Sequence, residues 1–330
     1  MLKQEDIARL AGVSRATVSR VLNNEKSVKK ITREKILEII EKHGYEKNYI
    51  SSTLATKNEK IVYAFLLKSV INYYSDELKK GLKEIEEEYK GFGYKIKVIE
   101  TSINEPENQL KELDQVLERK DVAGIIITPL IKTEILKRVQ SNEKVKFLSL
   151  DNFLCETVAH VGANYHNSGQ VAGDIFRGIL REDEKVLVLK FPGDKVSVEE
   201  YYKGLAISIP RNQLRVVEVR KNILQLDNFL EEYLDDSIKG IFSNRYTLEL
   251  IDKNLEILTK EKKYKIVGIA GNPKINNYVK EEIMYASINE QFSTISYIAG
   301  KTMFESLYKN RKSIEHTFIN PVVAFKSLIK

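Results

Sequence analysis

From Ile61 onward the chain alternates short runs of β-branched and aliphatic residues with longer amphipathic stretches, and this alternation restricts the fold more than any other feature. A first batch reads IVYAFLL, YKIKVIE, VAGIIIT and VKFLSLD; a second reads VLVLKF, LRVVEV, KGIFSN, KIVGIAG and YASIN. Apolar runs this short and this continuous suit strands buried on both faces. The segments between them, such as Asp76 to Tyr89 and Ile295 to Tyr308, carry the helical periodicity of cover helices. A βαβ rhythm in two batches predicts an α/β body of two parallel sheets flanked by helices, hence two lobes.

Composition narrows the class further. With 42% hydrophobic and 30% charged residues the chain has the balance of a water-soluble protein. No apolar run approaches the roughly 20 residues that span a bilayer, and Met1 leads directly into charged, patterned sequence. The expectation is a cytoplasmic protein with no membrane partner. The single Cys155 excludes an intramolecular disulfide or a multi-thiolate metal site. His43, His160, His166 and His316 show no metal-ligand spacing, and neither a phosphate-binding glycine loop nor a nucleophile elbow occurs. No cofactor and no catalytic apparatus are expected.

The charge is unevenly spread. Residues 1–60 hold 13 Lys or Arg against 8 Asp or Glu, a net of +5 out of +6 for the whole chain. A basic module on a nearly neutral body points to a polyanion that meets the module alone. Its pattern agrees. Ile7, Ala8, Leu10 and Ala11 share one side of a short helix, Gly12 permits a left-handed turn, Val13 plugs the corner, and Ser14 can cap a second helix bearing Val18, Val21 and Leu22. Thr32 is the expected cap of a third helix, with Ile36, Ile39 and Ile40 on its inner face and an end near Gly44. Arg15, Ala16, Ser19, Arg20 and Asn23 are left outward on the second helix, where small or long polar side chains can enter a major groove.

The stretch DIARLAGVSRATVSRVLNN, followed by TREKILEIIEKHGYEKN, closely resembles the headpiece of the lac repressor family of bacterial transcription regulators, continuously over the first 57 residues. The resemblance implies a homodimer on a near-palindromic double-stranded DNA operator. By position it implies phosphate or mixed contacts from Ser14, Thr17, Ser19, Asn23 and Thr32, and base reading by Arg15, Ala16 and Arg20. YEKNYISSTLATK stands where the family keeps a hinge helix that folds on DNA; Asn48 and Leu54 match it, whereas Lys47 stands near the place of a proline and Ile50-Ser51 replace Val-Ala. An isolated helix this short is marginal in water, so its formation should depend on DNA and on dimer packing. A plain polar linker is the alternative.

The remainder resembles, with looser motifs, the periplasmic-binding-protein type sensor of the same regulators: VGANYHNSG, GIFSN and SINEQF are the matching segments. The domains expected are a headpiece over 1–46, a hinge over 47–59, and a two-lobed ligand-sensing and dimerisation domain over 60–330. Lobe 1 would take 60–160 and 290–320, lobe 2 161–289 and 321–330. In parallel sheets ligands bind beyond the carboxyl ends of the strands. Asn72, Tyr74, Asp151, Asn152, Asn164, Asn244, Arg245, Asn272 and Glu290 fall there and, together with Tyr201, which the resemblance to the sensor implies, form the candidate ligand set, although Asn and Asp also favour strand ends because they make turns. Tyr201 aligns with a usual arginine, Ala270 with a usual aspartate, and Arg245 with a usual acid. A cation in place of an acid suggests a ligand with a carboxylate or phosphate, or a degenerate site.

The reading is a repressor of carbohydrate-utilisation genes, controlled by a sugar or sugar derivative held between two lobes. Two others stay open on the residues: a purine sensor of the same architecture, and a helix-turn-helix protein fused to a sugar-active enzyme.

Overall fold

The computed structural model describes residues 4–22, 27–43, 59–68, 73–191, 195–220, 225–260, 263–308 and 314–329, in two units divided between Asn58 and Glu59. In the first unit, helices α1 (Gln4–Ala11), α2 (Arg15–Leu22) and α3 (Lys30–Lys42) close around Ile7, Ala8, Ala11, Val18, Val21 and Ile36. Gly12 sits at φ +71°, the backbone a side chain would resist, and turns the chain so that Val13 N–H reaches the Ala8 carbonyl at 3.0 Å. Ser14 caps α2: its Oγ accepts from the Thr17 N–H at 3.1 Å. Two expectations fail. Leu10 is 49% exposed, because the short α1 buries only the stripe through Ile7 and Ala11. Thr32 lies inside α3, which starts at Lys30 without a side-chain cap.

The second unit holds two six-stranded sheets. The first has the order β11-β5-β4-β3-β1-β2, built from β1 (Lys60–Lys68), β2 (Tyr94–Ser102), β3 (Val122–Ile127), β4 (Lys146–Leu150), β5 (Ala159–Ala163) and β11 (His316–Ile319). The second has the order β12-β10-β9-β8-β6-β7, from β6 (Lys185–Lys190), β7 (Leu214–Glu218), β8 (Ile238–Ser243), β9 (Lys265–Ile269), β10 (Ala286–Asn289) and β12 (Val322–Ala324). Pairing is parallel throughout except for β10 with β12.

Helices α4 (Tyr73–Tyr89), α5 (Pro106–Leu117) and α6 (Lys132–Ser141) serve the first sheet; α7 (Tyr165–Ile179), α8 (Lys195–Ser208), α9 (Thr247–Lys253), α10 (Leu255–Lys260) and α11 (Ile275–Lys280) serve the second. The last, α12 (Phe292–Tyr308), follows β10 yet packs its Ile295, Ala299, Met303 and Phe304 into the core of the first sheet.

The chain therefore passes between sheets three times, and the passages are tied together. Asn164, between β5 and α7, donates its side-chain amide to the Asn320 Oδ1 at 2.9 Å, and Gln291, between β10 and α12, donates to the Asn320 carbonyl at 2.9 Å. The first passage falls at Asn164, a few residues beyond the expected lobe boundary at 160/161. His160 and Val161 pair with both β4 and β11, and Gly162 and Ala163 still pair with β11, so the chain does not leave the first sheet earlier.

Candidate functional sites

On α2 the buried stripe of Val18 and Val21 leaves Arg15, Ala16 and Arg20 exposed and Thr17 and Ser19 half-buried. Arg15 meets Glu5 of α1 at 3.3 Å, but both side chains are more than half exposed. A wet pair of this kind contributes little and yields to a phosphate or a base. Ser14 and Thr17 are joined through their hydroxyls at 2.9 Å, so they first build the helix start, whose N–H groups also suit a phosphate. Asn23, Asn48 and Leu54 lie outside the described residues.

The second site lies between the lobes, where β1, β4, β8 and β10 end. Its centre is Asp151, directly after β4, 9% exposed and held at φ 63°. Its Oδ2 accepts from the Tyr74 hydroxyl at 2.6 Å and its Oδ1 from the hydroxyl of Tyr165 at the start of α7. Tyr165 meets the ring of Tyr201 from α8, with centroids 5.1 Å apart, and the Tyr201 hydroxyl donates to Glu290 directly after β10. Phe292 stands edge-on to Tyr74 at 4.8 Å. A carboxylate from the first sheet and one from a passage segment, each accepting from tyrosine hydroxyls, thus form one cluster joined by the Tyr165–Tyr201 ring contact. Contact across the cleft extends to Tyr73 and Gly271: a Cβ on Gly271 would stand 2.8 Å from the Tyr73 hydroxyl oxygen.

Electrostatics follow from burial. Glu290 is only 3% exposed, and burial raises its carboxyl to about 8, assisted by the nearby charge of Asp151 and opposed by the Tyr201 hydrogen bond and by Arg245. Burial likewise raises Tyr74, Tyr165 and Tyr201 well above the usual phenol value, so all three donate as neutral hydroxyls. Among the described residues, five non-glycine positions take left-handed backbone: Asp151, Tyr246 and Gln291, with φ of 63°, 55° and 59°, and also Asn228 and Glu282. Strain of this kind clusters at ligand clamps and switch points.

The other expected ligand residues divide. Tyr74, Asp151, Tyr201 and Glu290 come together. Arg245 is exposed, its guanidinium 5.5 Å from the centroid of the Tyr246 ring, although its charge reaches Glu290, Tyr74 and Tyr201.

Asn244 is buried with both amide atoms on the Phe191 backbone, at 2.8 and 3.4 Å. Asn164 caps α7 through the Asn167 N–H, Asn152 donates to the Pro129 carbonyl, and Asn272 accepts from the Lys274 N–H. These four asparagines hold backbone, and Asn72 lies outside the described residues. Tyr165 and Ser168, absent from the expected set, border the site; Ser168 is fully buried and hydrogen-bonds Glu290. Among the described residues, no cluster of His, Cys, Asp or Glu stands ready to hold a metal, and no helix is long and apolar enough to cross a membrane.

A three-helix module and a body of two parallel sheets joined by three passages around a polar cleft define the class: a helix-turn-helix unit joined to a two-lobed binding domain. Residues 4–48 match the family model described as bacterial regulatory proteins, lacI family, and residues 63–310 match that of the periplasmic binding protein domain. The chain belongs to the lacI family of regulators with a periplasmic-binding-protein domain.

Among relatives, it is 28% identical to the HTH-type transcriptional regulator pepR1 of Lactobacillus delbrueckii subsp. lactis, over 72% of this chain and 69% of that one. It is 36% identical to catabolite control protein A of Staphylococcus aureus over 64% of this chain, and spans 62%, just under two thirds, of that relative's length. A periplasmic solute binding protein of Actinobacillus succinogenes with bound D-allose superposes with a TM-score of 0.68 at 19% identity, covering 82% of this chain and 99% of that one, a likeness of fold.

Proposed function

We propose that this chain is a ligand-responsive regulator of transcription, a repressor of carbohydrate-utilisation genes, that binds a near-palindromic DNA operator as a homodimer. The observation that carries the reading is the division of α2 into a buried Val18 and Val21 stripe and an exposed face of Arg15, Ala16 and Arg20. This module accompanies a body whose two sheets meet at a cleft of clustered polar groups. Arg15, Ala16 and Arg20 read bases; Ser14, Thr17, Ser19 and Thr32 hold phosphates. The headpiece covers 1–46, residues 47–59 with Asn48 and Leu54 serve as the hinge, and the sensor covers 60–330.

The effector, a sugar or sugar derivative, binds in the cleft at Tyr74, Asp151, Tyr201 and Glu290. It shifts the balance between lobe arrangements, and through them the geometry of the DNA-binding units. The test is selection of duplexes from a random-sequence pool by the full chain, followed by titration over a salt series. Enrichment of one near-palindrome, with affinity falling steeply as salt rises, supports the reading. Failure to enrich any sequence contradicts it.

A further inference from the structure

We infer that lobe 2 holds a second ligand site, at the end of its sheet away from the interlobe cleft, for a small aromatic carboxylate whose ring packs against Tyr285 and Phe325 and whose anion meets Lys265 and Lys326. Such a site goes beyond the regulator reading and does not depend on it. A cavity of about 500 Å³ opens there, within the size of ordinary small-molecule pockets. It lies where β9 begins and just before β10, whereas the cleft lies where both strands end. The five residues of β9 hold the two places apart by about 16 Å at the usual rise of a strand.

Strand pairing makes the wall aromatic. The Tyr285 N–H donates to the Ile266 carbonyl at 2.8 Å, which seats Tyr285 beside Lys265. Pairing of Ala324 with Ser287 brings Phe325 to the same place, and the two rings stand edge to face with centroids 6.0 Å apart. Tyr264 and Met284, 8% and 1% exposed, close the inner side. A planar apolar body finds ring edges and faces on this wall.

The polar part of the lining is cationic. The Lys265 ammonium stands 5.5 Å from the Tyr285 centroid and meets no carboxylate among the described residues. Lys326 pairs with Glu282 at 3.2 Å, but both side chains are more than half exposed, so the pair is weak and an anion can displace it. Two ammonium groups against one carboxylate favour a ligand with a negative charge beside its ring. Glu282 itself takes left-handed backbone at φ 62°, in the turn after α11 where glycine is the unstrained choice. Strain of that kind persists only where the surroundings hold it, and it clusters at ligand clamps.

The test is calorimetry on the full chain at neutral pH and low ionic strength, where exposed lysines are least screened. The probes are indole-3-acetate, its uncharged analogue indole-3-acetamide, and the non-aromatic cyclohexylacetate. The expected result is that indole-3-acetate binds about tenfold or more tightly than either of the others. Lys265→Gln removes that advantage and leaves the amide unchanged, whereas Glu282→Gln, which releases Lys326, strengthens indole-3-acetate. Both positions are exposed, a melting curve checks that each variant folds, and either variant alone locates the probe at this cavity. No binding of indole-3-acetate at about 10 mM, or affinity equal to that of the amide or of cyclohexylacetate, overturns the inference. So does a folded Lys265→Gln chain that binds indole-3-acetate as before, because the carboxylate is then held elsewhere, the cleft included.

Discussion

Glu290 and His160 set opposite pH dependences at the residue scale. Burial raises Glu290 from 4.5 to about 8, so the folded state holds a proton that the unfolded state has lost. Its contribution to stability is complete below about 4.5 and disappears as pH rises through about 8. Burial lowers His160 to about 4 from 6.5, so its contribution is present above 6.5 and disappears as pH falls toward 4. Between pH 6.5 and 8 only the Glu290 effect changes, and the melting temperature of the ligand-free chain should fall there. Glu290→Gln should flatten that slope; an unchanged slope in a folded variant assigns it to another group.

On α2, Arg15→Ala and Arg20→Ala should each cost about 1–3 kcal/mol on the selected duplex and relax preference at one position. Equal loss on all sequences marks a phosphate contact. The asparagines show where reading by residue type stops. Asn152, Asn164, Asn244 and Asn272 stand at strand ends as expected, but whether an amide meets a ligand or a backbone carbonyl depends on a partner distant in sequence, such as Phe191 for Asn244. Tyr74, Asp151 and Glu290 are legible as a group from strand-end position; Tyr201 lies in the middle of α8 and enters only through the family resemblance, and Tyr165, the first residue of α7, is not in the expected set.

At the scale of elements, α7 and α8 approach so closely that neither tolerates a Cβ at the crossing. A Cβ on Gly169 would lie 2.0 Å from the Tyr201 carbonyl oxygen, and one on Gly204 would lie 2.0 Å from that of His166. Gly169→Ala must push α8 away and carry Tyr201 off Glu290, at a cost of about 1–3 kcal/mol for overpacking. Its melting temperature should fall and its cleft affinity with it; an unchanged affinity means that Tyr201 does not position Glu290 for the ligand.

The long apolar runs that became β1, β3, β6 and β8 were plain in the sequence because both of their faces are covered. The edge strands β11 and β12 were not. HTFI and VVA are only partly buried and owe their pairing to β5 and β10, far away along the chain. The start of α3 at Lys30 rather than near Thr32 has the same origin, since packing of Ile36 into the headpiece core fixes the helix and no side-chain cap is needed.

At the scale of the whole molecule, the proposed function requires the cleft between the two lobes to be coupled to DNA binding by the N-terminal module. The passages at Asn164, Gln291 and Asn320 join the two lobes and are tied to one another by hydrogen bonds. Coupling between the two sites must be reciprocal: if ligand changes DNA affinity by a factor, DNA changes ligand affinity by the same factor. The direct measurement is calorimetric titration of the cleft ligand into the full chain alone and into the chain saturated with its selected duplex. The account predicts dissociation constants that differ by roughly 5- to 150-fold, the span of ordinary allosteric coupling, with the same factor recovered when duplex is titrated against ligand-saturated chain. Identical constants with and without duplex would contradict it.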